Sequence, residues 1–107
     1  MSDFLSHVRD LDGSTRTLAT HLVGEWEVMV GGGPELFVLT ASAGGGRRTA
    51  NAITSAPVTQ DQTVFITVSG QSVEGPALYA LTLEEVAEAL EHLAAGQLPA
   101  ERWIVVG

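Results

Sequence analysis

The chain has 107 residues with thirteen carboxylates against five arginines, no lysine and no cysteine, and a formal net charge of −8. A length of this order supports one core, and the lack of cysteine excludes disulfides and thiolate metal sites. The negative field disfavours nucleic acid and anionic membranes as partners and attracts cationic ones.

Met1-Ser2-Asp3-Phe4 carries no basic region followed by a long apolar run. No stretch approaches the roughly 20 apolar residues of a membrane span. The expectation is a single cytoplasmic domain over residues 1–107. From Ser2 to Leu11, Phe4, Leu5, Val8 and Leu11 fall at helical spacing, and Asp12-Gly13 ends the run. Residues 15–23 admit two readings. The alternation of Leu18, Thr20 and Leu22 with Ala19, His21 and Val23 suits a strand, whereas Ser14 and Gly24 suit the caps of a short helix. The strand is preferred because Thr and Val favour it and Gly24-Glu25 offers a hairpin turn.

Trp26, Val28 and Val30 alternate with Glu27 and Met29 as a strand, and Gly31 to Pro34 turns the chain into a further strand at Leu36–Ala41. Ala43 to Gln60 is weakly patterned and reads as a mobile loop with one short strand near Ala52-Ile53. Thr63 to Ser69 alternates Val64, Ile66 and Val68 with Phe65 and Thr67, Gly70-Gln71 turns, and the chain returns through Ala77 to Leu81. Thr82-Leu83-Glu84-Glu85 fits a capping box. Leu83, Val86, Leu90 and Leu93 then form an apolar stripe that Gly96 closes, and Trp103–Val106 reads as a last, buried strand. The predicted class is α+β: an N-terminal helix, an antiparallel β-meander, one amphipathic C-terminal helix packed on the sheet, and a final strand.

No catalytic constellation emerges. Glu88 and His92 stand one turn apart with Glu85 on the same side, a spacing that can hold a metal, but no further ligand is near in sequence and a charged helix face explains it. His7 and His21 are solitary. Gly44-Gly45-Gly46-Arg47-Arg48 could cradle an anion, yet a P-loop needs a lysine that the chain lacks. Gly70 to Gly75 misses the nucleophile-elbow spacing by one position. Neither enzyme activity, metal nor cofactor is expected. Two features suit recognition. One is the row Glu84, Glu85, Glu88 and Glu91 on a single helix. The other is Trp26 and Trp103, which fit an interface or, as strand tryptophans of a small domain, the core.

The segment Gly75-Pro76-Ala77-Leu78-Tyr79-Ala80-Leu81-Thr82-Leu83-Glu84-Glu85-Val86 leads into Ala89-Leu90-Glu91-His92-Leu93, Gly96-Gln97-Leu98-Pro99 and Trp103. It resembles the ending of the Imm-one family of bacterial immunity proteins: an acidic helix, a short G-x-x-P segment and a tryptophan on a last strand. The resemblance covers the last third of the chain. It implies an antitoxin-like inhibitor that binds and neutralises a cognate polymorphic-toxin domain, often a nuclease or deaminase, with a basic surface. On that reading Glu84, Glu85, Glu88 and Glu91, with Glu25, Glu27 and Glu74, supply the partner-binding surface. The residues leave open a cytoplasmic chaperone or adaptor for a secreted protein, or a small ligand-binding domain. An unpaired strand edge would allow a homodimer.

Overall fold

The computed structural model describes residues 2–12, 17–33, 35–59, 61–68 and 71–106. In chain order the elements are α1 (Ser2–Arg9), β1 (Leu18–Val23), β2 (Trp26–Gly32), β3 (Phe37–Ala43), β4 (Arg48–Ala52), β5 (Thr63–Val68), β6 (Gln71–Pro76), a 3₁₀ turn at Ala77–Tyr79, α2 (Leu83–Ala95) and β7 (Trp103–Val106). The class is α+β, as the patterning predicts. Five antiparallel strands form one sheet in the order β1-β2-β3-β4-β7, and β5-β6 form a separate two-stranded sheet. Among the described residues, no helix is long and apolar enough to cross a membrane.

Residues 18–23 are a strand; the possible cap at Ser14 lies outside the described residues. The two-residue turn Gly24-Glu25 closes β1 on β2, with Val23 opposite Trp26. The expected loop at 43–60 is corrected. Arg48–Ala52 is an interior strand between β3 and β7. The triple glycine belongs to a four-residue turn, Gly44–Arg47, between the paired Ala43 and Arg48, and all three glycines are left-handed, with φ of 63°, 69° and 93°. Arg47 N–H donates back to Gly44 C=O at 3.4 Å. The Arg-Thr-Ala-Asn-Ala sequence has weak strand propensity, so tertiary pairing decides the matter. At the β2–β3 hairpin Gly33 has φ +90°, and a Cβ there would stand 2.4 Å from the Leu11 carbonyl oxygen. The chain end of the N-terminal segment is thus seated against bare backbone.

Two further expectations need correction. The partner of β5 is β6 at 71–76, not 77–81; the turn proposed at Gly70 lies outside the described residues. Leu81 instead exchanges two backbone hydrogen bonds with Phe37, at 2.7 and 2.8 Å, tying the approach to α2 onto the main sheet. The last strand is an edge rather than an interior strand. Only Trp103 is buried, while Ile104, Val105 and Val106 are exposed.

The core lies between the two helices and one face of the main sheet. Phe4 and Val8 from α1, and Val86, Ala89, Leu90 and Leu93 from α2, meet Val28, Val30, Phe37 and Leu39. Both tryptophans belong to this core. Beneath the helices, β3 and β4 present Ala41, Ala43, Ala50 and Ala52, all buried. Small side chains there let the helix layer come close at interior packing density.

α2 starts as its sequence predicts. The Thr82 hydroxyl accepts from Glu85 N–H, the Glu85 carboxylate accepts from Thr82 N–H, and Gly96 ends the helix in the left-handed conformation. Both sets of otherwise orphaned backbone groups are satisfied.

Candidate functional site

The seven carboxylates singled out in the sequence do not form one surface. On α2, Glu84 and Glu91 are exposed. Glu85 is not a free acid: its side chain is 11% exposed. It accepts from the Thr54 hydroxyl, from Ser55 N–H at 2.7 Å, from the Ser55 hydroxyl and from Thr82 N–H. Burial pushes the Glu85 carboxyl up, but the four hydrogen bonds from Ser55, Thr82, Thr54 and Ser55 outweigh it, and its pKa is lowered overall. Arg102 completes the cluster, reaching Glu85 at 3.7 Å and pairing with Glu88. Glu25 pairs with Arg48 at 3.2 Å, and Arg48 lies over the Trp26 ring, 5.0 Å from its centroid.

Glu27 and Glu74 lie elsewhere. Glu27 alternates with the buried Trp26 and Val28, so it stands on the sheet face opposite the helices. Glu74 is exposed on β6 and accepts from the Thr63 hydroxyl at 3.1 Å. Three of the seven, Glu25, Glu85 and Glu88, thus meet an arginine, and the other four are divided among three parts of the surface.

The E-x-x-x-H pair is likewise engaged locally. Glu88 meets Arg102, and His92 Nδ1 accepts the Trp103 indole N–H at 3.1 Å. His21 stacks on Phe4 with ring centroids 5.0 Å apart. Residues Gln71–Gly75 lie within β6, which is not the strand-to-helix turn of a nucleophile elbow. Among the described residues, no group of three His, Asp or Glu is arranged to hold a metal ion.

The feature the patterning did not single out is the bare face of the main sheet. Residues paired across strands share a face, so Leu18, Thr20 and Leu22 of β1 lie with Met29 and Glu27 of β2, and with Thr49 and Asn51 of β4 beside Val106 and Ile104 of β7. Among the described residues no helix covers this side, and Leu18, Leu22, Met29, Ile104 and Val106 are all exposed there, Leu22 to 69% and Val106 to 61%. The signal was present in the sequence: once Val28 and Val30 are assigned to the core, the alternate positions of the same strands must face away from it.

The β5–β6 hairpin overhangs the middle of this face. Ile66 is packed so near Gly32 that a Cβ on the glycine would lie 2.7 Å from its Cγ2. Between hairpin and sheet runs an apolar cleft of about 330 Å³, walled by Val38, Val64, Ile66, Val73 and Tyr79. Its floor holds Thr40 and Asn51, where the Thr40 hydroxyl donates to Asn51 Oδ1 at 2.8 Å.

On either side of the overhanging hairpin the face can therefore bury apolar side chains, and the cleft can seat one anchoring group. No family model, no curated protein and no solved structure matches the chain.

Proposed function

We propose that this chain is an immunity protein that binds and neutralises a cognate toxin domain, and that the bare face of the five-stranded sheet is its docking surface. The observation that carries the reading is the set of exposed apolar side chains Leu18, Leu22, Met29, Ile104 and Val106 on a sheet face that no helix covers. Exposed apolar groups concentrated on one face mark an interaction site.

The net charge of −8 argues for the chemistry of the occupant: a folded domain with a basic surface, as a domain acting on nucleic acid presents. The resemblance of residues 75–103 to the endings of immunity proteins supports the same role. Long-range attraction from the whole acidic chain speeds encounter, and the apolar face with its cleft holds the complex. Glu27, the carboxylate set among the apolar groups, meets a lysine or arginine of the partner. This reassigns the work expected of the helix. Glu84 and Glu91 contribute to the field, while Glu85 and Glu88 hold the fold together.

The test is binding to the C-terminal domain of any secreted protein whose gene adjoins that of this chain, comparing the wild type with Leu22→Asp and Met29→Asp. Each side chain is exposed, so the substitutions leave the core untouched. Each should weaken the complex at least tenfold, about 1.4 kcal/mol. Full affinity in both variants would remove the sheet face from the interface.

A further inference from the structure

We infer that β1 is a self-complementary edge through which two copies of this chain pair, joining their sheets into one continuous ten-stranded sheet. The inference rests on the backbone register of β1 and does not depend on the toxin-binding reading.

The hydrogen-bond phase of the edge is fixed by two observations. Gly32 N–H donates to Thr17 C=O at 3.1 Å, and Val23 lies opposite Trp26 across the two-residue turn. In an antiparallel ladder the bonded residues alternate, so Thr17, Ala19, His21 and Val23 turn their N–H and C=O groups toward β2. Leu18, Thr20 and Leu22 turn theirs outward. All three are exposed, and among the described residues their outward backbone groups have no partner.

Edges of this kind are ordinarily blunted by charge, proline, a bulge or a short length. β1 has none of these: Leu-Ala-Thr-His-Leu-Val is six residues of unbroken pairing with no proline, carboxylate or arginine. The opposite edge of the sheet differs. β7 has four residues, follows directly on Glu101-Arg102, and by the same alternation turns outward only the groups of Trp103 and Val105.

The sequence of the edge selects its occupant. A two-fold axis through Thr20, perpendicular to the sheet, sets Thr20 against Thr20 of the second copy. It also sets Leu18 against Leu22 of that copy, and Leu22 against its Leu18. The three outward residues then form bonded pairs, each exchanging two hydrogen bonds. Two leucine–leucine contacts flank a threonine–threonine contact on the bare face. A one-step slip in register loses this match.

Each copy carries −8, so the two repel at long range, but the edge itself adds little to that repulsion. β1 itself has no ionisable group except His21, which is stacked on Phe4 on the helix-bearing side. The two Glu27 carboxylates, one strand in from the seam, lie three strand spacings apart and four residues offset, about 20 Å in all, from the strand geometry. That is twice the Debye length of about 10 Å at 0.1 M salt.

Sedimentation equilibrium across micromolar to millimolar concentrations tests this, with hydrogen exchange read at residues 18, 20 and 22. A single short strand pair makes a small interface, so the expected dimer is weak and depends on concentration. Its formation should slow exchange at those three amides. Thr20→Pro removes an outward N–H and leaves the β1–β2 ladder intact, as prolines at sheet edges do. It should be monomeric throughout, with a thermal midpoint close to that of the dilute wild type. Thr20→Lys, which faces lysine against lysine at the axis, should also be monomeric and guards against misfolding of the proline variant. A wild type that stays monomeric at millimolar concentration would overturn the inference. So would a dimer that survives both substitutions, or protection of these amides that appears only when a different protein is bound.

Discussion

Removing the Glu85 carboxylate should reveal how the C-terminal third is fastened. The side chain joins three parts of the chain. It caps α2 through Thr82 N–H, accepts from Thr54 and Ser55 in the segment after β4, and draws in Arg102 just before β7. In Glu85→Ala the lost capping bond is worth about 1 kcal/mol. The Ser55 N–H bond to a carboxylate is worth about 2 kcal/mol more, while the hydroxyls recover part of their loss from water. The expected total is about 3 kcal/mol, or roughly 12–24 °C in thermal midpoint for a domain this size. Glu85→Gln keeps an acceptor oxygen but loses the charge, and should cost about 1–2 kcal/mol. The pH dependence gives a sharper signature. Because the folded pKa lies below the ordinary value of 4.5, this stabilisation is complete above that pH and is lost as pH falls through the folded value. Urea unfolding at pH 7, 5, 4 and 3 should therefore show the wild-type advantage over Glu85→Gln shrinking below pH 4.5. A gap constant down to pH 3, or an alanine variant within about 0.5 kcal/mol of wild type, which is the range of ordinary surface changes, would show that Glu85 does not fasten these segments.

The other predictions concern single contacts. Gly33→Ala sets a Cβ against the Leu11 carbonyl at a φ of +90°, and should cost at least about 2 kcal/mol by denaturant titration. Trp103→Phe keeps most of the ring but loses the indole N–H bond to His92, and should cost about 1–2 kcal/mol in the same measurement. Ala50→Leu forces extra volume beneath the helix layer where exposure is 0%, and should lower stability by about 1–3 kcal/mol. Glu84→Lys combined with Glu91→Lys should slow association with a basic partner severalfold at low salt and leave its dissociation rate unchanged, by stopped-flow and surface-binding kinetics.

The elements most readable from the sequence were those whose local chemistry and burial agree. α2 carries its capping box, apolar stripe and closing glycine in plain order, and the structure forms all three. β2 alternates large apolar residues with Glu27 and Met29, so both its class and its buried face were legible. β4 was hidden because its buried positions are alanines, whose weak strand propensity and small area leave no periodic signal. What places it is pairing with β3 and β7, a non-local fact. β7 was readable as a strand, but its valines and isoleucine suggested an interior position that topology denied. The carboxylate row failed as a site for a related reason. Helical spacing reports which side chains share a face, whereas Arg102 and Ser55 approach from elsewhere in the chain. The bare sheet face was implicit in the alternation of the strands, but only the placement of both helices on one side makes it bare.

The most direct test of the proposed inhibitor role is a titration of this chain against a folded, basic toxin domain from any secreted protein whose gene adjoins its own, at several salt concentrations, with growth of cells expressing that domain followed in parallel. A tight one-to-one complex that weakens as salt rises is expected, with restored growth that Leu22→Asp abolishes. Absence of binding and of rescue by the wild type would contradict it.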